Sequence, residues 1–155
     1  DLAIGVSMPD TPEISAIPDC EWHDTSHIIA AAGHPLRKRA RLKLEDTLSH
    51  KWVLPPRGTA PFTELTHIFT SRGLPLPNVV IETRSILAIK SMVAHAGFLS
   101  WMPEPMYQPE RAAGLADTLP VPGGMLKRRL MVFRRSRGIL PQPAVKLLDE
   151  LRLML

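Results

Sequence analysis

Apolar residues recur along this chain with two periods, and the period changes from one segment to the next. Short runs that are mostly apolar and are bounded by turn residues occur at positions 27–32, 51–54, 79–82 and 98–101. Runs of roughly four to eight residues with such boundaries are typical of strands that are buried in a sheet. We therefore predict a strand in each of these segments.

Between the predicted strands, apolar residues recur at a spacing of three or four, which is typical of an amphipathic helix. One helix is predicted over 60–71 and another over 86–96, with Ser85 as the N-cap of the second and Gly97 as its end. Gly73 closes the first helix in the same way. Their inward faces consist of Phe62, Leu65, Ile68 and Phe69 in the first helix and Ile86, Ile89, Met92 and Val93 in the second.

The two ends of the chain carry weaker patterns. Residues 1–6 alternate like a buried parallel strand, so the chain is expected to be a piece of a longer protein. Residues 7–24 contain three prolines among polar residues and are predicted to form a loop or an ordered crossover. The chain after Pro103 is predicted to be irregular at first. The other predicted elements are a short helix over 45–49, strands over 119–121 and 128–133, and a closing helix over 143–155 with Val145, Leu148 and Leu151 inward.

Strands and helices thus alternate along the sequence. This order predicts an α/β fold in which right-handed crossovers join the strands of a sheet. In such folds, ligands bind where the carboxyl ends of strands meet the amino ends of helices. Thr59 and Ser85 are both predicted to lie at such positions, which makes them the first candidates for a binding site.

The composition limits the kinds of protein that this chain can be. Its 155 residues, 45% of them hydrophobic, can bury one sizeable core, either as one compact unit or as two small lobes. Cys20 is the only cysteine, which excludes an intramolecular disulfide and every multi-cysteine metal site and fits a reducing compartment. Because no apolar run reaches the roughly 18 residues that span a bilayer, we expect no membrane partner.

Positive charge is concentrated in two places, and the formal net charge is +4. One is the run 36–43, and the other consists of Lys127, Arg128, Arg129, Arg134, Arg135 and Arg137. Basic runs can bind phosphate backbones. Neither run is interleaved with aromatic residues in the manner of a single-strand binder, so we predict a solvated surface rather than a nucleic-acid site.

The sequence contains no recognisable metal-binding or catalytic motif. His23 and His27 are four residues apart, but the proline before them and the apolar run after them argue against a helix that would bring them together. Ser85 and His95 fall in one predicted helix and cannot act as nucleophile and base, and no Gly-x-Ser-x-Gly elbow occurs. We therefore predict no metal, no cofactor and no enzymatic activity.

Two segments combine groups that suit a small anion. Residues 57–59 (Arg-Gly-Thr) and 83–85 (Thr-Arg-Ser) each precede a predicted helix. The first N–H groups of a helix are unpaired, and its dipole favours negative charge there. On the residues alone, a simple capping role of Thr59 and Ser85 is the commoner alternative.

Five motifs, in a fixed order over most of the chain, resemble the effector-binding domain of LysR-type transcriptional regulators. They are Ala32-Gly33-His34-Pro35-Leu36, Leu44-Glu45-Asp46-Thr47-Leu48, Trp52-Val53-Leu54-Pro55-Pro56-Arg57-Gly58-Thr59, Val80-Ile81-Glu82-Thr83-Arg84-Ser85 and Ala96-Gly97-Phe98-Leu99-Ser100-Trp101-Met102-Pro103. In that family a His-Pro-Leu turn follows a strand, and a later strand delivers a Gly-Thr or Gly-Ser loop into a ligand cleft. The order and spacing carry the resemblance, because each motif alone is common.

The resemblance implies a two-lobed fold like that of type II periplasmic binding proteins, with sheets flanked by helices. Lobe II would comprise residues 26–118. Lobe I would comprise residues 1–25 and 119–155 and would be incomplete, because the family's opening strands and helices are absent from this sequence. The family also implies a bacterial protein of the cytoplasm.

The resemblance further implies that the chain binds a small effector, a carboxylate or other anion, between two lobes and so modulates DNA binding and transcription by the intact protein. Phe62 and Trp101 would form apolar walls, and Arg57 or Arg84 would pair with the anion. The implied effector-binding residues are Arg57, Gly58, Thr59, Phe62, Thr83, Arg84, Ser85 and Trp101. DNA would be bound by an N-terminal domain absent from this sequence, not by this fragment, and the intact protein would be a homodimer or tetramer.

Two other functions remain open on the sequence alone. A periplasmic solute-binding module would have the same fold, since function depends on the site rather than on the fold. The lack of a disulfide and the His-Pro-Leu run argue against it. An enzyme of this fold would need an acid, a base and a nucleophile, and the sequence shows no such set.

Overall fold

The computed structural model describes residues 2–6 and 9–154. Residues 1, 7, 8 and 155, which belong to the segments predicted over 1–6, 7–24 and 143–155, lie outside the described part. The structure is mixed α/β. The strands are β1 (Leu2–Val6), β2 (Ile14–Ala31), β3 (Trp52–Leu54), β4 (Val79–Glu82), β5 (Ser100–Pro103), β6 (Ala116–Thr118) and β7 (Met125–Arg135). The helices are α1 (Ala60–Thr70), α2 (Ile86–Ala96), α3 (Glu104–Ala112) and α4 (Gln142–Leu153), with short 3-10 helices at Pro35–Lys38 and Leu44–Thr47.

The chain forms two compact units. The first comprises Asp1–Asp24 and Lys127–Leu155, and the second comprises Thr25–Leu126. The sequence predicts lobe boundaries between residues 25 and 26 and between residues 118 and 119. That the two units correspond to lobe I and lobe II stays a prediction.

In the first unit, β1 pairs antiparallel with β7, and β7 lies between β1 and β2. The core of this unit is formed by Ile17, Cys20, Val132 and Leu148. The prediction that the chain opens with a buried parallel strand is wrong. β1 is antiparallel and leaves Ile4 and Val6 exposed, because within the described residues it is an edge strand paired only with β7.

Of the two alternatives predicted for residues 7–24, the loop is wrong from Ile14 onwards, because β2 begins there. Ile17 and Cys20 are buried, whereas the two residues between them, Pro18 and Asp19, are exposed. A regular strand alternates strictly, so one extra residue has been inserted at this point. Asp19 adopts the left-handed conformation, with φ 57°, which marks the same irregularity. The bulge lets a proline-containing segment remain a strand.

The predicted strand over 128–133 is confirmed and forms part of β7. The predicted closing helix is confirmed as α4. Arg128 in β7 does not belong to a solvated surface. Its Nε donates to Asp24 Oδ1 at 2.8 Å and its Nη2 to Asp24 Oδ2 at 2.5 Å, and both side chains are largely buried. Removing one partner of such a pair leaves an uncompensated charge, which makes the pair a fixed feature of the first unit.

In the second unit, β3 pairs in parallel with β4, and Trp52 forms a parallel bridge with Leu99 just before β5. β2 runs antiparallel to both β5 and β6. Alternate residues of the sheet face two separate core clusters. One cluster contains Trp52, Leu54, Trp101 and residues of α1, and the other contains Val53, Met102 and residues of α2 and α3. The strands β3, β4 and β5 therefore lie between α1 on one side and α2 and α3 on the other.

The predictions of α1 and α2 are confirmed, because their local signals are strong. Ser85 caps α2 through its side chain, and Gly97 ends that helix with φ 71°. Gly73, with φ 68°, follows the end of α1. The predicted strand over 98–101 is displaced by two residues in β5, and the predicted short helix over 45–49 is a 3-10 helix that begins one residue earlier.

The irregular segment predicted after Pro103 is a misassignment, because α3 follows β5 directly. Pro105 lies in the first turn, where proline is tolerated, but Pro109 lies inside the helix and masked its pattern. Contacts outside the helix stabilise it: Tyr107 is buried, and Arg111 binds the carboxylate of Asp117 in β6. The strand predicted over 119–121 is also wrong, since β6 ends at Thr118, before a proline that cannot donate to a ladder.

Arg37 is a structural residue, although it lies in the basic run that was predicted to be solvated. Its guanidinium donates to the carbonyl oxygens of Ala30 and Ala31 at the end of β2 and to those of Asp117 and Thr118 in β6. These carbonyl groups lie at the ends of paired strands, where regular ladder bonds stop. Arg37 therefore ties the end of β2 to β6.

We expect the Arg37→Ala variant to lose about 3 kcal/mol of unfolding free energy, because charged hydrogen bonds to partly buried carbonyl groups disappear. Arg41→Ala is the matched control. Arg41 is exposed in the same basic run, and its loss should change the free energy by no more than about 0.5 kcal/mol. Urea denaturation of both variants measures the difference. Equal stabilities of the two variants would contradict the role of Arg37.

The His-Pro-Leu turn is held by the His34 imidazole, which is buried. Its Nδ1 accepts the N–H of Leu36 at 3.2 Å, so His34 caps the 3-10 helix that it precedes. The ring also hydrogen-bonds to the backbone of Gly97, at the end of α2. Burial lowers the pKa of His34, and the neighbouring His50 ring, 4.9 Å away between centroids, lowers it further. The neutral ring thus connects the turn after β2 to α2.

The pKa of His34 in the folded chain is below its usual value of 6.5, so the unfolded chain binds more protons below that pH. Stability is therefore full above about pH 6.5 and falls as the pH drops below 6.5 towards the lowered pKa of the folded chain. The unfolding free energy of His34→Asn should decline less steeply than that of the unchanged protein, because asparagine can cap but cannot be protonated. Denaturation at several pH values measures the slope, with exposed His67→Asn as the control. An unchanged slope in His34→Asn would disprove the assignment.

Candidate functional site

The candidate site lies at the edge of the second unit where β3, β4 and β5 end. Because these strands run in parallel, their carboxyl ends meet at the same edge of the sheet. The loop 55–59 leaves β3 at this edge and leads into α1, and the loop 83–85 leaves β4 and leads into α2. Both segments that were predicted to bind an anion are therefore brought to one place by the strand order.

Arg57 and Glu82 connect the two loops. The backbone N–H of Arg57 donates to Glu82 Oε2 at 2.9 Å, and its Nε donates to Glu82 Oε1 at 3.0 Å. These hydrogen bonds hold the pKa of the Glu82 carboxyl below its usual value. The Arg57 guanidinium also lies over the ring of Phe62, 5.8 Å from the ring centroid. The charge of Arg57 is thus largely compensated within the chain.

Thr59 lies at the N-cap position of α1 but makes no capping bond through its side chain. Its Oγ1 instead donates to the carbonyl oxygen of Pro56 at 2.7 Å. Gly58, with φ 81°, provides the left-handed residue that the turn before Thr59 requires. The Thr59 hydroxyl therefore does not cap α1, which was the alternative to ligand binding. Its oxygen can still accept a hydrogen bond at the start of α1.

The second loop is ordered by its own hydroxyl groups. The N–H of Thr83 donates to Leu54 O at 3.0 Å, and the Thr83 Oγ1 accepts the N–H of Ser85 at 3.1 Å. Ser85 Oγ accepts the N–H of Ala88 at 3.2 Å, so Ser85 does cap α2. Both hydroxyl groups act as acceptors in these bonds, so each can still donate its own proton. Arg84 is exposed and forms no ion pair with any residue in the described part of the chain.

The two aromatic candidates occupy different depths. Phe62, in the first turn of α1, is half-buried and packs against the core cluster that contains Trp101. Trp101 lies in β5 and is only 1% exposed. Its Nε1 is buried and has no hydrogen-bond partner among the residues that the structure describes. Phe62 is thus partly accessible, whereas Trp101 is buried in the sheet.

Sequence reasoning did not include Glu82 in the site. The sequence did hint at Glu82, because it is the last residue of a predicted strand. Parallel pairing places Glu82 opposite Leu54, and Leu54 is three residues before Arg57. The pairing register, however, cannot be read from the sequence. Within residues 2–6 and 9–154, no three His, Cys, Asp or Glu side chains form a group that could hold a metal ion. No helix in the same range has the length and apolarity that a membrane span requires.

Comparison with known proteins places these features in a family. A family model described as the LysR substrate binding domain matches residues 1–154. A curated relative, the HTH-type transcriptional regulator GbpR of Rhizobium radiobacter, is 25% identical over 73 residues, which are 47% of this chain and 24% of that protein. The match thus spans about a quarter of the length of that relative.

Solved structures agree with this assignment in their fold. The regulatory domain of CcmR from Synechocystis PCC6803, in complex with 2-PG, is 20% identical and has a TM-score of 0.83, with 99% of this chain and 73% of that chain covered. The effector binding domain of QuiR, in complex with shikimate, is 19% identical and has a TM-score of 0.73, with 99% and 70% covered. Because the family model covers nearly the whole chain and these folds match it, the chain belongs to the LysR substrate binding domain family.

Proposed function

We propose that the edge formed by the loops 57–59 and 83–85 binds a small organic anion, and that this anion is the effector of a LysR-type transcriptional regulator. The observation that carries the proposal is the convergence of two helix starts on one sheet edge. The starts of α1 and α2 both lie there, together with the uncompensated charge of Arg84. Helix starts and arginine both favour negative charge.

The two arginines have different roles in this proposal. Arg57 is already bonded to Glu82, so an anion that approached it would meet a carboxylate as well. Arg84 has no such partner in the described chain and lies directly before α2. We therefore assign the ion pair with the effector to Arg84. Arg57 keeps Glu82 neutralised and positions the Phe62 ring.

The remaining candidates supply hydrogen bonds and an apolar wall. The Thr83 and Ser85 hydroxyl groups can donate to an anion, and the Thr59 oxygen can accept from a hydroxyl group of the ligand. Gly58 lets the backbone approach closely, and Phe62 offers its ring edge. The complexes of relatives with 2-PG and shikimate support an effector of this chemical class.

The proposed mechanism is a shift of population. An effector that binds one arrangement of the regulator more tightly than another favours that arrangement. In the intact protein, this shift would alter DNA binding through a domain that lies outside this sequence, in a homodimer or tetramer in the cytoplasm. The chain itself carries out no catalysis in this proposal. The solute-binding alternative is not favoured, because the family model and the curated relative belong to transcriptional regulators.

We expect Arg84→Gln to weaken binding of the anion about tenfold, because one charge-assisted interaction is lost. Glu82→Gln should tighten binding about threefold, because a negative charge beside the site disappears. Arg41→Gln, at an exposed position outside the site, should have no effect. A thermal-shift panel first identifies the compound that most stabilises the unchanged chain. Calorimetric titration then measures the affinity of all three variants for that compound.

The panel consists of small organic acids in pairs that differ by a hydroxyl group, such as acetate and glycolate, propionate and lactate, and benzoate and salicylate, together with shikimate and 2-PG. If no member stabilises the unchanged chain, the proposed anion site is refuted. If a compound binds but Arg84→Gln and Arg41→Gln bind it equally, the anion lies elsewhere on the chain.

We expect the longer protein encoded by the complete reading frame to bind the DNA upstream of its own gene, with an affinity that changes when the panel compound is present. The physical reason is linkage, because an effector that shifts the population must change DNA affinity reciprocally. Gel retardation with and without the compound is the measurement. A reading frame that begins with a signal peptide would instead support a solute-binding module.

A further inference from the structure

A cavity in the first unit is lined by charged side chains of both signs. Its volume is about 350 Å³, and its walls are formed by Pro12, Glu13, Arg135 and Arg137. Cavities that hold small molecules usually have volumes of roughly 300–1,000 Å³. All four residues belong to the first unit, whereas the candidate site lies in the second unit. The cavity is therefore separate from the site described above.

The charged groups of this cavity are not neutralised by one another. Arg135 and Arg137 are exposed, and neither forms an ion pair or a side-chain hydrogen bond with any residue in the described part of the chain. The Glu13 carboxylate also lacks a partner among the described residues, although it lines the same space as both arginines. Opposite charges thus face one cavity without forming a pair across it.

Basic residues earlier in β7 are neutralised, which sets the two arginines of the cavity apart. The Nη2 of Arg128 lies 2.5 Å from Asp24 Oδ2, and the Nη1 of Arg129 lies 3.7 Å from Glu21 Oε2. Both acidic partners belong to β2, the strand beside β7. The end of β7 has no such acidic neighbours in the described chain, so its positive charge remains available to a ligand.

Hydrogen bonds hold the walls of the cavity together. Ser136 lies between the two arginines, and its N–H donates to Glu13 O at 2.8 Å, while its Oγ donates to Thr11 O at 3.3 Å. The Thr11 Oγ1 in turn accepts the N–H groups of Glu13 and Ile14 at 3.3 Å and 3.1 Å. The turn before β2 is therefore tied to the end of β7, and the backbone that carries the charged side chains is ordered without a ligand.

A second cavity of about 120 Å³ shares both arginines and is completed by Gly138, Ile139 and Leu140. The Ile139 side chain is 99% exposed, so an apolar surface lies directly beside the positive charge. Carbon atoms of a ligand bound by the arginines can pack on this surface.

We propose that this cavity is a second ligand site and that it binds a small sugar phosphate, with the phosphoryl group between Arg135 and Arg137 and a sugar hydroxyl group on Glu13. Guanidinium groups bind phosphoryl oxygens through charge-assisted hydrogen bonds. An ionised carboxylate can only accept, so Glu13 requires a donor on the ligand. A hydroxyl group suits it better than an ammonium group, because the lining carries more positive than negative charge.

The same charges disfavour a nucleic acid as the ligand. A nucleic-acid backbone presents phosphate groups at regular intervals along a surface, and the Glu13 carboxylate in the wall would repel it. In a sugar phosphate, the negative charge is confined to one end, and the hydroxyl groups at the other end can donate to Glu13. We therefore assign the cavity to a small molecule.

The test is calorimetric titration of the 155-residue chain at low ionic strength, because salt screens exposed charges. Ribose 5-phosphate is the probe, and methyl phosphate, which lacks the sugar hydroxyl groups, is its matched partner. We expect ribose 5-phosphate to bind with a Kd of about 1 mM or lower. It should bind about fivefold more tightly than methyl phosphate, because it adds a charge-assisted hydrogen bond to Glu13.

Arg135→Gln and Arg137→Gln should each weaken binding of both phosphates about fivefold, because one charge-assisted interaction is lost. Lys127→Gln is the matched control, since Lys127 is exposed in β7, lines neither cavity and carries the same charge. Its effect should stay within about twofold. Glu13→Ala should tighten binding of methyl phosphate about twofold and remove most of the preference for ribose 5-phosphate. All four changes are at exposed positions, so the melting temperatures without ligand should stay close to that of the unchanged chain.

The outcomes separate this site from the alternatives. If ribose 5-phosphate does not bind the unchanged chain, or if Lys127→Gln weakens its binding as much as Arg137→Gln, the proposed site is refuted. If Arg84→Gln weakens binding and Arg135→Gln does not, the phosphate occupies the candidate site of the second unit. This inference then fails, whereas the proposed function stands.

Two further results would overturn the identity of the ligand. If a short DNA duplex binds the unchanged chain and Arg137→Gln abolishes that binding, while ribose 5-phosphate does not bind, the arginines serve a nucleic acid. If Glu13→Ala keeps the full preference for ribose 5-phosphate over methyl phosphate, the sugar does not contact Glu13 and the assignment to a sugar phosphate is wrong.

Discussion

The parallel pairing around β3 is the constraint on which the second unit depends. β3 has only three residues, all of them fully buried, and its backbone bonds to both neighbours. The N–H of Trp52 donates to Asn78 O before β4, and the N–H of Val53 donates to Leu99 O before β5. Since parallel neighbours end at the same edge, this short strand alone determines that the loops after β3 and β4 meet. A shift of its register would separate Arg57 from Glu82.

Buried polar residues hold the rest of the unit around this strand. Arg37 closes the ends of β2 and β6, and His34 connects the following turn to the end of α2. Both side chains satisfy backbone groups at places where regular secondary structure stops. The His-Pro-Leu turn is thus explained by hydrogen bonding and not by contact with a ligand. Its basic neighbours 38–43 remain at the surface or near it, apart from the buried Leu42.

The sequence predicted those parts of the fold whose signals are local. α1 and α2 could be placed because apolar spacing, a capping serine and a terminal glycine agree with one another. β2 before residue 25 and α3 could not, because Pro18 and Pro109 contradict the local pattern and are tolerated only through a bulge and through tertiary contacts. The positions of Thr59 and Ser85 followed from strand and helix order. The partners of Thr59 and Arg57, in contrast, depend on loop geometry and strand register.

The distribution of charge at the edge determines what kind of ligand can bind there. Arg57 and Glu82 form an ion pair at the surface whose two charges largely cancel. The positive field at the edge therefore comes from Arg84 and from the two helix starts. Arg57 adds little to it, because Arg57 is paired with Glu82. Such a field is weak and screened by salt at an exposed position. Affinity must therefore come largely from apolar contacts, and the half-buried Phe62 ring is the part of the site where those contacts can form.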